Sequence, residues 1–591
     1  MKDRNSIEDK YKWNLQDIYA SDEDFEKDFE EYKSLTKDLD RFKGKLSDID
    51  TLLEYLHLDD EIELIGGKIG LYVFLKRDLD ISSSKAVEMM DRVNNYQNKV
   101  SEMTSFVEPE ILQFTDEYLE EIYNDDRFKD YKLAIHDIVR CKNHILDEKM
   151  EALLTRIGDF ASGFSDVYDN IESVDLTYKP IRYNGKKYEL TQALYGKYRE
   201  SNIREIRKQA YENMFNAYKD FSNTIATNYI YNVKSDYFFA KERRYNTCLE
   251  AEFDSRNLNP NIYSTLLNNV DGHLGLLHKY FSLMKKFSGL DDFTIYDTRI
   301  SFVKDFNPKF TVEKSKKIVL DSLKILGKDY ISILNEAFEN RWIDYFETKN
   351  KASGGYQADV YGVHPFILLN YVPNFNSLST LAHELGHCCH SYYSNKSNPI
   401  STASYNLFVA EIASTTNEIL LLKHMIDNSK TDKEKLFYLQ KFANDFHATV
   451  YTQTMYSKFE VFAHDTIENN GSLSKDTLCN YYGDLIKSFY GPALQEHELS
   501  KYSWLCIPHF YRCYYVYKYS TSYAVSSYVA NRIYSGDKEF LTKYKEFLSS
   551  GGSKYPEDIL KIIDVDLTKN TVYDIAFKDF EWSINEIEKL L

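Results

Sequence analysis

The segment Leu381-Ala382-His383-Glu384-Leu385-Gly386-His387-Cys388-Cys389-His390 brings together side chains that can do chemistry as a group. Histidines four residues apart lie on one helical face, one turn above the other. In that arrangement both imidazoles can reach a single Zn²⁺ at about 2.0–2.1 Å. Glu384 sits about 100° round the helix, so it can touch a water carried by the ion without being a ligand. A metal with a glutamate beside it is equipment for metal-assisted hydrolysis. The pattern is rare: with 14 His in the chain, chance supplies about 0.03 matches. A surface helix with two unrelated histidines is the plain alternative, and the neighbours weaken it. Leu378, Leu381, Ala382, Leu385, Cys389 and Tyr392 recur at helical spacing and give the helix an apolar back.

Catalytic zinc takes three protein ligands and keeps one position for water. The next helical segment runs from Ser404, its expected N-cap, to His424, and places Glu411, Thr415 and Glu418 on one face. Carboxylates repeated on a helical face are usually just solvated. Here Leu407, Phe408, Val409, Ala410, Ile412 and Ala413 surround Glu411, so its face is expected to be buried. A buried carboxylate needs a partner, and zinc is the expected one. Glu418 is expected to accept a hydrogen bond from a ligating histidine; an exposed carboxylate is the alternative. His390 extends the ligand face and is expected to support the site or the fold, not to ligate. Cys388 and Cys389 point off the histidine face.

The elements that must hold these residues are mostly helices. Only 22 Gly and 10 Pro punctuate 591 residues, which favours long helices with few tight turns. Amphipathic periodicity predicts helices over Asp22 to Phe42, with Ser21 or Asp22 as cap, over Ser47 to Ile65 and over Ser82 to Phe114. The period then changes. Val174 to Tyr178 and Ile181 to Leu190 read as a small hairpin region, with Asn184-Gly185 supplying the turn. This places a boundary between an N-terminal helical domain, 1–195, and a catalytic domain, 196–591. Phe366 to Tyr371 is a short β-like run expected to offer a strand edge to a peptide backbone. Gly354-Gly355 is expected to form a flexible loop over it. Ser550-Gly551-Gly552-Ser553, followed by Pro556, ends one helix and starts another.

Charge excludes several functions. A net charge of −19 repels phosphate backbones and anionic lipid, so neither nucleic acid nor membrane is an expected partner. The charged start, Met1-Lys2-Asp3-Arg4-Asn5, carries no apolar core of a signal peptide, and no 18-residue apolar stretch follows. Seven Cys at 141, 248, 388, 389, 479, 506 and 513 have the spacing of neither a disulfide framework nor a zinc ribbon. A reducing, cytoplasmic location is the expectation.

Three stretches resemble the oligoendopeptidase F family, within the thimet-oligopeptidase group of zinc metallopeptidases (gluzincins). They are His364-Pro365-Phe366-Ile367-Leu368-Leu369-Asn370 with Thr380 to His387, then Ala410-Glu411-Ile412-Ala413-Ser414, then the tyrosine-rich run from His509 to Tyr519. Trp13-Asn14-Leu15 with Ile18-Tyr19, and Gly551-Gly552-Ser553 with Tyr555-Pro556, extend the resemblance to essentially the whole chain. The resemblance implies a mainly α, multi-helix zincin-like fold with a deep substrate channel and a few short β-strands. It implies one Zn²⁺ on His383, His387 and Glu411, Glu384 as catalytic acid/base, and short unfolded peptides as substrates. It also implies that a histidine and two tyrosines hold substrate and transition state, carried here to His509, Tyr514 and Tyr517, with Tyr519 able to replace either tyrosine. Cys388-Cys389 departs from the small or Met-like residues common at those places. Two other readings compete: a metallocarboxypeptidase, for which Arg512 is the only candidate carboxylate anchor in the tyrosine run, and a non-catalytic peptide-binding protein, for which an intact Glu384 is superfluous.

Overall fold

A computed structural model describes residues 3–304 and 306–591, and for Glu148 and Asp159 the backbone alone. The fold is mainly α, as expected. Strand structure among the described residues is confined to five short pieces: β1 (Ile181–Tyr183), β2 (Lys186–Tyr188), β3 (Ile343–Asp344), β4 (Tyr356–Ala358) and β5 (Phe366–Leu368). No helix among the described residues is long and apolar enough to cross a membrane. The chain forms two compact units, each assembled from three stretches.

The first unit comprises Met1–Asn143, Asn307–Leu421 and Val529–Val565. Its leading helix, Asp22–Thr36, starts where Ser21 accepts the Asp24 N–H at 3.2 Å, which satisfies an otherwise orphaned donor. The next helix, Ile49–Leu79, is capped by Asp48 and runs well past its expected end at Ile65. The glycine pair Gly66-Gly67 does not break it, because packing needs the missing side chains. A Cβ on Gly66 would lie 2.8 Å from the Tyr32 ring, and one on Gly67 2.7 Å from Val360. Ser84–Thr104 completes the set, and Phe25, Phe29, Leu52, Ile69, Val93 and Ile122 fill the space between. Each such side chain stabilises by roughly 1.5–3 kcal/mol when fully buried.

A three-stranded sheet in the same unit precedes the metal motif. Its order is β3-β5-β4, with β5 parallel to β3 and antiparallel to β4. The run at Phe366 is thus the central strand, paired on both sides, and the expected peptide-binding edge does not lie there. β3 and β4 are the outer strands. Lys351 clamps the sheet: its buried ammonium donates to the Asp344 carboxylate at 2.7 Å and to the carbonyls of Phe346 and Leu369 at 2.8 and 2.6 Å. Arg4 takes the same carboxylate, at 3.1 and 2.6 Å. The Gly354 carbonyl accepts from Asn370 at 2.9 Å, so this loop is tied to the end of β5 and not free-standing.

The second unit comprises His144–Phe306, Leu422–Tyr528 and Asp566–Leu591. β1 and β2 form the expected hairpin, with Tyr183 paired to Lys186 across Asn184 and Gly185 at φ 48° and 74°. Val174 to Tyr178 does not join it as a strand; a π-turn over Ile171–Asp175 occupies its start. Asp297, fully buried, receives Arg204 at 2.9 Å and Arg207 at 2.7 Å, which fixes the approach of the helix Arg204–Asp220.

Candidate metal centre

Two helices carry the metal-binding pattern, and all the residues of the pattern lie in the first unit. The histidine helix, Phe375–Ser397, begins at Asn374, whose side chain accepts the Ser377 N–H at 2.9 Å. It buries Leu378, Leu381, Ala382, Leu385, Cys388 and Cys389 completely, as its apolar spacing requires. The glutamate helix, Leu407–Asp427, begins later than expected. Ser404 closes the short turn Ile400–Ala403, and Asn406 receives the Phe408 N–H at 2.9 Å instead. The two helices meet at Gly386, where a Cβ would stand 2.5 Å from Ser414 Cα. Asn417 locks the crossing: it donates to the Ala382 carbonyl at 3.0 Å and accepts from Tyr330 at 3.0 Å.

Across this crossing, His383, His387 and Glu411 each turn one donor atom inward, all within 4.8 Å of one another. Glu411 Oε2 is 3.4 Å from His383 Nε2 and 3.5 Å from His387 Nε2. Donors about 2.0–2.1 Å from one tetrahedral ion stand about 3.3 Å apart, so the residues fit a shared cation. Glu418 Oε2 meets His383 Nδ1 at 3.2 Å, and Ser379 donates to Glu418 Oε1 at 3.0 Å. Ser414 donates to Glu411 Oε2 at 3.0 Å. The two serines went unremarked in the sequence, although each sits at helical spacing from a candidate ligand and was open to the same argument.

The local field favours positive charge. Burial disfavours a charged His383, but Glu418, then Glu384 and Glu411, outweigh it and raise its pKa to about 9. Burial would also raise Glu411, yet the hydrogen bond and charge of His387, then His383 and Ser414, bring it down to about 2. Glu384 is 6% exposed, and burial raises its pKa against the pull of the two histidines.

His390 does not join the donors. Its ring stacks on Tyr405, centroids 3.7 Å apart, and is buried, which with His387 nearby lowers its pKa to about 3. Burial likewise pushes both the Cys388 and Cys389 thiols well up, so both act as core.

In the second unit, the tyrosines carried over from the resemblance separate into two classes. Tyr514 and Tyr517 are 1% and 0% exposed. Tyr514 packs edge-on against Tyr263, and Tyr517 stacks on Phe253 at 5.1 Å. Both rings are buried in the core. Their neighbours Tyr515 and Tyr519 are only partly buried and flank His509, with centroids 6.0 and 6.1 Å away. A turn with Tyr514 in the left-handed region sends 514 inward and leaves 515 partly exposed, which helical counting could not anticipate. Arg512 lies over Tyr515 at 5.5 Å.

The family model for Peptidase family M3 matches residues 197–579, and that for Oligopeptidase F matches 110–178. The chain is 35% identical to oligopeptidase PepF of Bacillus subtilis, over 100% of this chain and 89% of the relative. It is 32% identical to an oligoendopeptidase F homolog of Borreliella burgdorferi, over 100% of both. The crystal structure of oligoendopeptidase-F from Enterococcus faecium superposes with a TM-score of 0.75 at 28% identity, covering 96% of this chain and 99% of that one. The chain belongs to peptidase family M3, as an oligoendopeptidase F, and is a metalloendopeptidase.

Proposed function

We propose that the chain is a zinc endopeptidase of short, unfolded oligopeptides, with one catalytic ion held by His383, His387 and Glu411. The observation that carries this reading is the convergence of those three donors, with Glu411 Oε2 3.4 and 3.5 Å from the two imidazole nitrogens. Two nitrogens and one oxygen suit zinc better than magnesium or calcium, which take oxygen. Zinc bound there would acidify water and polarise the scissile carbonyl. Glu384 takes the proton from the attacking water and passes it to the leaving amine. Its burial supports that duty, since a raised pKa brings a carboxylate toward the working range of a general base. Glu418 holds the His383 ring so that Nε2 faces Glu411.

The free edge of β4 suits a peptide backbone, which it would bind by main-chain hydrogen bonds with little regard to side chains. The accessible group His509, Tyr515 and Tyr519 serves as the substrate-holding set, in place of Tyr514 and Tyr517. Cytoplasmic location is supported by seven cysteines, none of them joined in a disulfide. The division into 1–195 and 196–591 is supported by the two family matches, which leave 179–196 between them.

The test is cleavage of an internally quenched peptide blocked at its C-terminus. Cleavage between fluorophore and quencher, abolished by a chelator and restored by Zn²⁺, is expected. A peptide trimmed only when its C-terminus is free would replace this reading with a carboxypeptidase.

A further inference from the structure

Cys248, His464 and Cys513 are remote in sequence yet meet inside the second unit. One donor atom of each lies within 4.8 Å of the other two. Cys248 and His464 are buried and Cys513 is partly so. The His464 ring is fixed: its Nδ1 donates to the Glu460 carbonyl at 2.9 Å, which leaves Nε2 to face the thiols. A backbone carbonyl on the far nitrogen is the usual way a protein orients a ligating imidazole. Nε2 is 3.6 Å from Cys513 Sγ. Nitrogen and sulfur around one tetrahedral zinc, at about 2.0–2.1 and 2.3 Å, stand about 3.5 Å apart. Asp236 Oδ2 lies 3.3 Å from the same nitrogen and is itself held by Asn232.

We propose that Cys248, His464 and Cys513 bind a second Zn²⁺, which acts as a structural clip. Two thiolates and one imidazole form a soft donor set that selects zinc over calcium or magnesium. Binding forms two Zn–S bonds and one Zn–N bond. It releases the proton of each thiol and the Nε2 proton that His464 otherwise donates to Asp236.

The place of each ligand gives the clip its work. Cys248 opens the helix Cys248–Asp254, and His464 belongs to the helix Thr452–Glu468. Cys513 lies between the turn Pro508–Tyr511 and the helix Tyr517–Tyr534. An ion there ties the stretch bearing His509 and Tyr515 to two helices. The backbone of that stretch already shows the cost of its course: Tyr514 has φ 47°, left-handed for a non-glycine residue, and its N–H is caught by Glu460 at 2.6 Å.

Metal content of the purified full chain, loaded with Zn²⁺ and dialysed, tests the proposal. Elemental analysis is expected to give two Zn²⁺ per chain, falling to one in Cys248→Ser/Cys513→Ser and to one in His383→Ala/Glu411→Ala. Cobalt loading separates the sites, since only this one offers sulfur. A sulfur-to-cobalt charge-transfer band is expected in the wild type and in His383→Ala/Glu411→Ala, and should vanish in the double serine variant. A wild type that takes a single Zn²⁺, or cobalt without that band, overturns the proposal even if the serine variant does not fold. So does a Cys248–Cys513 disulfide whose reduction yields no zinc uptake.

Discussion

Gly386 and Ser414 touch backbone to backbone: a Cβ on Gly386 would lie 2.5 Å from Ser414 Cα and 2.7 Å from the Ala413 carbonyl oxygen. This contact sets the distance between the two helices that present His383, His387 and Glu411. Gly386→Ala therefore pushes the helices apart and spreads the donors. The expected cost is about 1–3 kcal/mol of stability, the usual penalty for overpacking. Weaker zinc binding should accompany it. Thermal unfolding and zinc titration check this, and wild-type values in both would refute it.

Glu384→Gln keeps the shape of the side chain and removes its basicity. The variant should retain zinc and lose roughly 10²–10⁴-fold in kcat, the range assigned to general acid–base catalysis. Near-wild-type turnover of a quenched peptide would exclude Glu384 as the proton carrier.

Glu411→Ala removes the only carboxylate among the three converging donors. Elemental analysis of the dialysed protein should find the catalytic zinc gone. Unchanged metal content would strike Glu411 from the ligand set.

Glu418→Gln tests the support behind His383. With its partner 3.2 Å away neutralised, the imidazole holds the ion less firmly. Zinc affinity should fall by about 10–100-fold, the usual penalty for such outer contacts, while excess zinc restores activity. Competition with a chromogenic chelator measures the first and a rate at saturating zinc the second.

Tyr515→Phe and Tyr519→Phe should lower kcat/KM with little change in Tm. A lost donor to a developing oxyanion costs roughly 10²–10³ in kcat. Tyr514→Ala and Tyr517→Ala should lower Tm first, by the roughly 3–5 kcal/mol of an emptied aromatic site. The reverse pattern would return the substrate-holding role to the buried pair.

What the chain made legible follows the range of each signal. The i, i+4 spacing of His383 and His387, the i, i+7 spacing of Glu411 and Glu418, and the Asn184-Gly185 turn are local, and the structure places these residues as that spacing implies. Asn406 took the cap expected of Ser404 because the chain first completes a separate short turn at Ile400–Ala403. Phe366 to Leu368 is central because it pairs with 343–344 and 356–358, two pieces that carry too little pattern to read as strands. Cys248, His464 and Cys513 share no spacing, since tertiary packing alone brings them together.

The first unit takes its last piece from Val529–Val565. The helix Lys538–Leu548 in that piece lays Phe547 against His390, 5.6 Å between centroids, and pairs Lys545 with Asp329. Gly552 then donates to the Thr402 carbonyl at 2.8 Å. A chain leaving the ribosome exposes both donor helices long before this cover is made. The contacts that cover the histidine helix therefore come from a segment synthesised after both donor helices, so they form only once the rest of the first unit has been made.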